Sequence, residues 1–192
     1  MRSLNSAIRA ELDADYRLAI KRYLSLSREG SKLDRVGIFQ AIARCFEKLS
    51  SFERAAVWHE RAGKGYMSLP NAVMGRQERT YYALVEYRAA VQDRAPNLSE
   101  RGGADRYLKA LAICVGPGKE GYSHEMLFAA HLCIKIRAYK RAAVFFADCG
   151  SQFRKDGQRG LARECYGLGA EYFEKSGNAR RTRELRKRAT AL

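Results

Sequence analysis

The stretch Phe52-Glu-Arg-Ala-Ala-Val-Trp-His-Glu-Arg-Ala-Gly63 decides the fold, because it returns later as Tyr139-Lys-Arg-Ala-Ala-Val-Phe-Phe-Ala-Asp-Cys-Gly150. The two copies lie 87 positions apart and share Arg-Ala-Ala-Val, the closing glycine and an aromatic first residue. A fainter echo begins at Tyr16, 36 positions before the first copy. Self-similarity of this kind is typical of repeat architectures, in which each unit buries its apolar face only by stacking on its neighbours.

Each copy lies in a predicted helix-turn-helix unit. The residues before the first copy follow the i, i+3, i+4, i+7 spacing of one apolar helical face: Phe39, Ile42, Ala43, Phe46 and Leu49. A second helix follows Ser50-Ser51 and carries alanines where paired helices would cross. Small residues at a crossing let helix axes approach to about 8–10 Å, and the large aromatic residues then fill the space between layers.

The chain as a whole is predicted to be all-α, with about nine helices in a single domain over residues 1–192. A helix is expected over Ala72–Val91, then a long connection near 92–103, then a helix over Ala104–Val115. Residues 178–192 are expected to form a basic C-terminal capping helix.

The pattern of large apolar, alanine, aromatic and small turn residues resembles the tetratricopeptide repeat (TPR). The clearest copy after the first reads Met126, Ala130, Cys133, Arg137, Tyr139, Ala142, Phe146 and Cys149. A third, degenerate copy begins at Tyr166, 40 positions after Met126, and the fainter echo lies 36 positions before the first copy. These intervals exceed the usual 34, which looks like the long-repeat variant of soluble NSF attachment protein (SNAP)-like proteins. The resemblance implies a right-handed α-solenoid of antiparallel helix pairs that binds partners along its concave groove.

The charge of the chain is strongly basic and concentrated near the C-terminal end. The net charge is +15, and residues 126–192 carry 15 basic against 6 acidic groups. Such a field indicates an acidic protein, a nucleic acid or an anionic membrane as partner. Two alternatives stay open, because the excess could also be a solvated surface, and the basic end could simply cap the solenoid.

The residue types that carry chemistry do not form a recognisable site in the sequence. Cys133, Cys149 and Cys165 recur every 16 residues, without the short Cys or His spacing of structural zinc, so they are predicted to pack in the core. The odd total of five cysteines indicates free thiols in a reducing compartment, hence a cytoplasmic protein. His59 occupies an aromatic repeat position, which predicts a packing role. We therefore expect no catalytic site, no metal and no cofactor.

The function predicted from these observations is a non-enzymatic adaptor or scaffold for an acidic protein or peptide. An alternative is a nucleic-acid-associated helical repeat protein. No apolar stretch approaches the ~20 residues of a membrane span. The residues predicted to contact the partner, from the inner groove face and the basic helix, are Arg44, Lys48, His124, His131, Lys135, Arg180, Arg183 and Lys187.

Overall fold

The fold was analysed in a computed structural model of the chain. The structure describes residues 3–94, 101–114 and 122–192, with the backbone alone for 101–103, 113 and 114. Within these ranges every regular element is an α-helix. The chain divides into two compact units, Met1–Cys114 and Val115–Leu192.

The first unit contains six helices. They are α1 (Leu4–Leu12), α2 (Tyr16–Leu26), α3 (Lys32–Lys48), α4 (Phe52–Met67), α5 (Arg76–Asp93) and α6 (Arg101–Cys114). Each helix packs mainly against the next one in the chain. Helix α3 starts with a capping box, in which the Ser31 hydroxyl and the Asp34 carboxylate each accept from the backbone of the other residue.

The second unit contains four helices packed in the same consecutive manner. They are α7 (Ser123–Lys135), α8 (Tyr139–Lys155), α9 (Arg159–Lys175) and α10 (Ala179–Thr190). Its core holds Phe146, Phe153, Tyr166 and Phe173, all buried. The described cysteines Cys45, Cys133, Cys149 and Cys165 are all buried, as the packing prediction requires.

The turns between paired helices repeat as the sequence does. Ser50 and Arg137 stand at the same position of the two copies, and both adopt a left-handed backbone, with φ of 54° and 57°. Gly157 and Gly177 adopt the same conformation in the α8–α9 and α9–α10 turns, where glycine carries no steric penalty. One left-handed residue thus ends one helix and reverses the chain into the next.

The packing of the closing glycines explains why both copies of the repeat end in glycine. A Cβ added to Gly63 would lie 2.7 Å from the ring of Tyr87 on α5, and one added to Gly150 would lie 2.8 Å from the ring of Tyr166 on α9. In both units, therefore, a tyrosine of the following helix lies directly on the glycine backbone. Only glycine leaves room for such a close approach.

The prediction of an all-α solenoid of consecutively packed helices is confirmed, with ten helices in the described residues where about nine were expected. Helix α5 begins at Arg76, because residues 71–75 form turns after Pro70. Helix α6 begins at Arg101, three residues before the expected start. The middle of the predicted long connection, residues 95–100, lies outside the described residues. In the part of the chain described, no helix is long and apolar enough to cross a membrane.

Alanine substitutions at three helical glycines should separate packing from helix propensity. Gly63→Ala and Gly150→Ala should each lower the free energy of unfolding by about 1–3 kcal/mol, because the new methyl group meets a tyrosine ring. Gly37→Ala should raise it by up to about 1 kcal/mol, since no atom lies within 4 Å of the added Cβ and alanine favours helix. Chemical denaturation followed by circular dichroism measures all three. Equal effects at the three positions would contradict the close-approach interpretation.

Candidate functional site

The first unit carries an open apolar groove of about 640 Å³. Helices α1, α2 and α3 line it, together with Tyr66 of α4. Three large aliphatic residues at its edge are strongly exposed, with Leu4 at 50%, Ile8 at 40% and Leu33 at 43%. Apolar side chains gathered around a concave surface are typical of a site that binds a partner.

The groove contains a glycine against which no other part of the fold packs. Gly37 lies in the interior of α3, lines the groove and is exposed. The space beside Gly63 and Gly150 is occupied by tyrosine rings. At Gly37, by contrast, no side chain and no neighbouring helix lies within 4 Å of a Cβ built on the backbone. A glycine in a helix interior is destabilising by roughly 1 kcal/mol relative to alanine. The space above Gly37 is therefore free for a ligand to approach the α3 backbone.

One wall of the groove is polar and internally paired. Arg44 lines it, and its Nη2 is 3.2 Å from Oε1 of Glu11. The Tyr23 hydroxyl donates to Oε2 of the same carboxylate at 2.7 Å. Burial, followed by the hydrogen bond to Glu11, raises the pKa of Tyr23, so the hydroxyl stays a donor. Arg44 thus reaches the groove with its charge already paired to Glu11.

A chain of hydrogen bonds leads from the groove into the interior of the unit. The Tyr66 hydroxyl donates to Oε1 of Gln40 at 3.3 Å, and both residues line the groove. Nε2 of Gln40 donates to Oε1 of Glu86 at 2.7 Å. Oε2 of Glu86 then lies 2.8 Å from Nδ1 of His59. The Glu86 carboxylate and the His59 ring are both buried.

The other ring nitrogen of His59 faces two more carboxylates. Nε2 of His59 lies 3.1 Å from Oε1 of Glu47 and 3.8 Å from Oδ2 of Asp93. Burial lowers the pKa of His59, but the hydrogen bonds and negative charges of Glu86 and Glu47 outweigh it, so the net pKa is raised. Burial also raises the pKa of Asp93 to about 6. The ligand atoms of Glu47, His59 and Asp93 lie within 4.8 Å of one another and could hold a metal ion.

The predicted histidines of α7 are exposed in the second unit and lie against the rings of α8. The ring of His124 packs edge-on to Phe153 at 6.2 Å, and that of His131 packs edge-on to Phe146 at 5.5 Å. Nδ1 of His131 also lies 2.8 Å from the Leu127 carbonyl oxygen of its own helix. Lys135 is exposed in the last turn of α7. These residues form a surface with aromatic backing and a positive end.

Helix α10 divides its cations between two environments. Arg181 and Arg188 pair with Glu184 at 3.1 and 2.6 Å, and Arg186 pairs with Glu174 of α9 at 2.7 Å. The remaining cations, at i, i+3, i+7 spacing, are Arg180, Arg183 and Lys187. They are exposed and form no ion pair with any residue that the structure describes. We call these three residues the basic face.

The opposite side of α10 is buried and holds the helix in place. Leu185 is 2% exposed and lies on Gly169 of α9, where an added Cβ would be 2.8 Å from its Cδ1. Thr182 is also buried. The helix therefore has a packing side and a separate basic face.

Of the two α3 residues predicted to contact the partner, one lines the groove. Arg44 lines the groove, whereas Lys48 is exposed at the end of α3 and does not line it. The exposed aliphatic residues of the groove were missed, although the i, i+4 spacing of Leu4 and Ile8 in the sequence could have indicated them. The carboxylates around His59 were missed because they come from separate helices.

Substitutions on the two sides of α10 should have very different effects on stability. The triple change Arg180→Glu/Arg183→Glu/Lys187→Glu should alter the free energy of unfolding by less than about 1 kcal/mol, because surface charges contribute little. Leu185→Ala should lower it by about 2–5 kcal/mol by leaving a cavity on Gly169. Denaturant titration of both variants tests this. A comparable loss in the triple variant would mean that the basic face is part of the packing.

Comparisons with known proteins bear on the fold alone. No protein-family model matches the sequence, and no curated protein matches it either. Among solved structures, the chain is similar to the crystal structure of BtubC (BKLC) from P. vanneervenii. The TM-score is 0.52 at 14% sequence identity, and the match covers 97% of this chain and 76% of that chain. The chain therefore has an all-helical, repeat-like fold that it shares with this protein.

Proposed function

We propose that the chain is a non-enzymatic adaptor of the tetratricopeptide type, related to the long-repeat SNAP-like variant, that binds a partner protein through the groove of its first unit. The observation that carries the proposal is the open space above Gly37 between the exposed side chains of Leu4, Ile8 and Leu33. A segment of the partner with two or three apolar anchors fits this space, because a few buried anchors supply most of the affinity of such interfaces.

The basic face leads us to expect an acidic region elsewhere in the same partner. Arg180, Arg183 and Lys187 are exposed on one side of α10, and their neighbours on that helix are paired internally. Complementary charge accelerates association more than it strengthens the final complex. In this proposal the groove supplies affinity and the basic face supplies association rate.

The groove proposal is tested by filling the groove. Random 12-residue peptides are selected on the immobilised full chain, and the affinities of the selected peptides are measured by fluorescence anisotropy. We expect peptides rich in aliphatic and aromatic residues. Gly37→Trp should weaken their binding more than tenfold, because the indole occupies the open space without meeting the fold.

The matched control is Val57→Trp, which places the same side chain on an exposed position of α4 outside the groove. It should bind the peptides as the unmodified chain does. Selection of no peptides, or equal binding to Gly37→Trp and the unmodified chain, would contradict the proposal.

A second candidate function is nucleic-acid binding, which the unpaired cations of the basic face favour. Three cations on one helical face match the phosphate contacts of a sequence-independent interface. The groove has no part in this alternative.

A salt titration of single-stranded RNA affinity decides whether the basic face binds nucleic acid. If its three cations contact phosphates, the slope of log K against log salt should become less steep by about 2 on changing Arg180, Arg183 and Lys187 to Glu, since each contact on a single strand contributes about 0.7. An unchanged slope would exclude the basic face as the RNA contact. The Gly37→Trp variant, whose charges are intact, is the control and should keep the full slope.

A further inference from the structure

We propose that Glu47, His59 and Asp93 form a binding site for a divalent transition metal ion, with Zn²⁺ as the expected occupant. Imidazole nitrogen with carboxylate oxygens is a donor set that suits zinc. The three residues come from α3, α4 and the end of α5, so a bound ion would join three consecutive helices of the first unit.

Two of the separations between donor atoms lie close to those around a tetrahedral ion. Metal–ligand bonds of 2.0–2.2 Å place neighbouring ligands of a tetrahedral zinc about 3.3–3.6 Å apart. Nε2 of His59 lies 3.1 Å from Oε1 of Glu47 and 3.8 Å from Oδ2 of Asp93. Three protein ligands leave the fourth position for water.

The surroundings of His59 hold its ring in the orientation that a ligand needs. Nδ1 is directed at Oε2 of Glu86 at 2.8 Å, and the other oxygen of that carboxylate accepts from Gln40. A carboxylate on Nδ1 fixes the proton there and turns the lone pair of Nε2 toward the metal, as in the carboxylate–histidine–zinc arrangement. Glu86 is therefore a positioning residue for the site.

Protonation of His59 alone does not give every buried oxygen of this cluster a hydrogen-bond partner. A protonated His59 can donate to Glu86 and to Glu47, but Oδ2 of Asp93 at 3.8 Å is beyond hydrogen-bond distance. That oxygen is buried and has no hydrogen-bond partner among the described residues. An ion between the three side chains supplies the missing partner of Asp93.

The corresponding layer of the second unit shows that the fold does not require these polar residues. His59 stands four residues before Gly63, as Phe146 stands before Gly150, and Asp93 stands six residues after Tyr87, as Tyr172 stands after Tyr166. Phe146 and Tyr172 stack with ring centroids 5.9 Å apart. Where the second unit packs two aromatic rings, the first therefore places an imidazole and a carboxylate.

The site has a route to solvent. A surface cleft of about 470 Å³ is lined by the α3–α4 turn, the start of α4 and the end of α5, and Asp93 is one of its lining residues. Glu47 is partly exposed as well, at 37% of its side chain. An ion can thus reach the cluster without unfolding of the unit.

The proposal is tested by titrating the full chain with Zn²⁺ in an isothermal calorimeter after treatment with a chelator. We expect one ion per chain, and no comparable binding of Mg²⁺, which prefers an all-oxygen site. Asp93→Asn should weaken Zn²⁺ binding at least tenfold, and it should still fold because it removes one negative charge from a group of three neighbouring carboxylates. Glu86→Gln should weaken binding by about 10–100-fold while leaving all three ligands in place.

The controls separate this site from other zinc-binding groups. A His124→Gln/His131→Gln variant should bind Zn²⁺ as the unmodified chain does, because both rings lie outside the cluster. Co²⁺ in the unmodified chain should show visible d–d bands without the near-ultraviolet charge-transfer band of a thiolate, and this spectrum decides the matter even if a variant fails to fold. No binding, binding that survives Asp93→Asn, or a thiolate band would overturn the proposal. None of these results depends on the groove, so they leave the adaptor proposal untouched.

Discussion

The close contact between a large side chain and a glycine of the preceding helix is the constraint on which the helix packing depends. The rings of Tyr87 and Tyr166 lie on Gly63 and Gly150, and Leu185 lies on Gly169. In each contact, the absence of a side chain on the glycine lets a large side chain lie directly on the helix backbone. The axes of the two helices therefore come close together, and water is excluded from the crossing. Because stability is concentrated on these faces, the remaining faces of the helices can vary in chemistry without loss of the fold.

This freedom is used differently in the two units. In the second unit the layer beside the glycine contact is aromatic, and the rings of His131, Phe146 and Tyr172 follow one another at 5.5 and 5.9 Å. In the first unit the same layer holds His59 and Asp93, with Glu47 and Glu86 around them. Placing three carboxylates around one buried imidazole is unfavourable unless a cation compensates their charge. The repeat thus supplies a scaffold in which one layer stabilises the fold and the equivalent layer is available for binding.

Whether a feature of the fold or of the site could be predicted from the sequence depends on how far apart in the chain its interacting residues lie. The alanines at crossings and the closing glycines are local signals that recur in the sequence, so the helical solenoid could be predicted from Phe52–Gly63 and its copy. The start of α5 was predicted four residues too early. Pro70, Asn71 and Gly75 are turn residues, but Ala72 and Val73 between them have no turn signature and suit a helix equally well. The groove depends on how α1 and α3 each pack against α2. The His59 cluster brings together carboxylates 12, 27 and 34 positions from the histidine. Glu86 and Asp93 also lie in the segment that fits the repeat least well.

The groove and the buried cluster share one side chain. The amide oxygen of Gln40 accepts from Tyr66 at the groove wall, and its nitrogen donates to the carboxylate that orients His59. A groove ligand that accepted the Tyr66 hydroxyl proton or reoriented the Gln40 amide would therefore disturb Glu86, the acceptor of the His59 Nδ1 proton. Conversely, an ion bound to Nε2 of His59 would stiffen the same series of hydrogen bonds from its other end. Thermodynamic linkage makes such an effect reciprocal, so any change in ion affinity caused by the groove ligand equals the change in ligand affinity caused by the ion. The shared amide gives the two proposed sites a physical route by which each can sense the other.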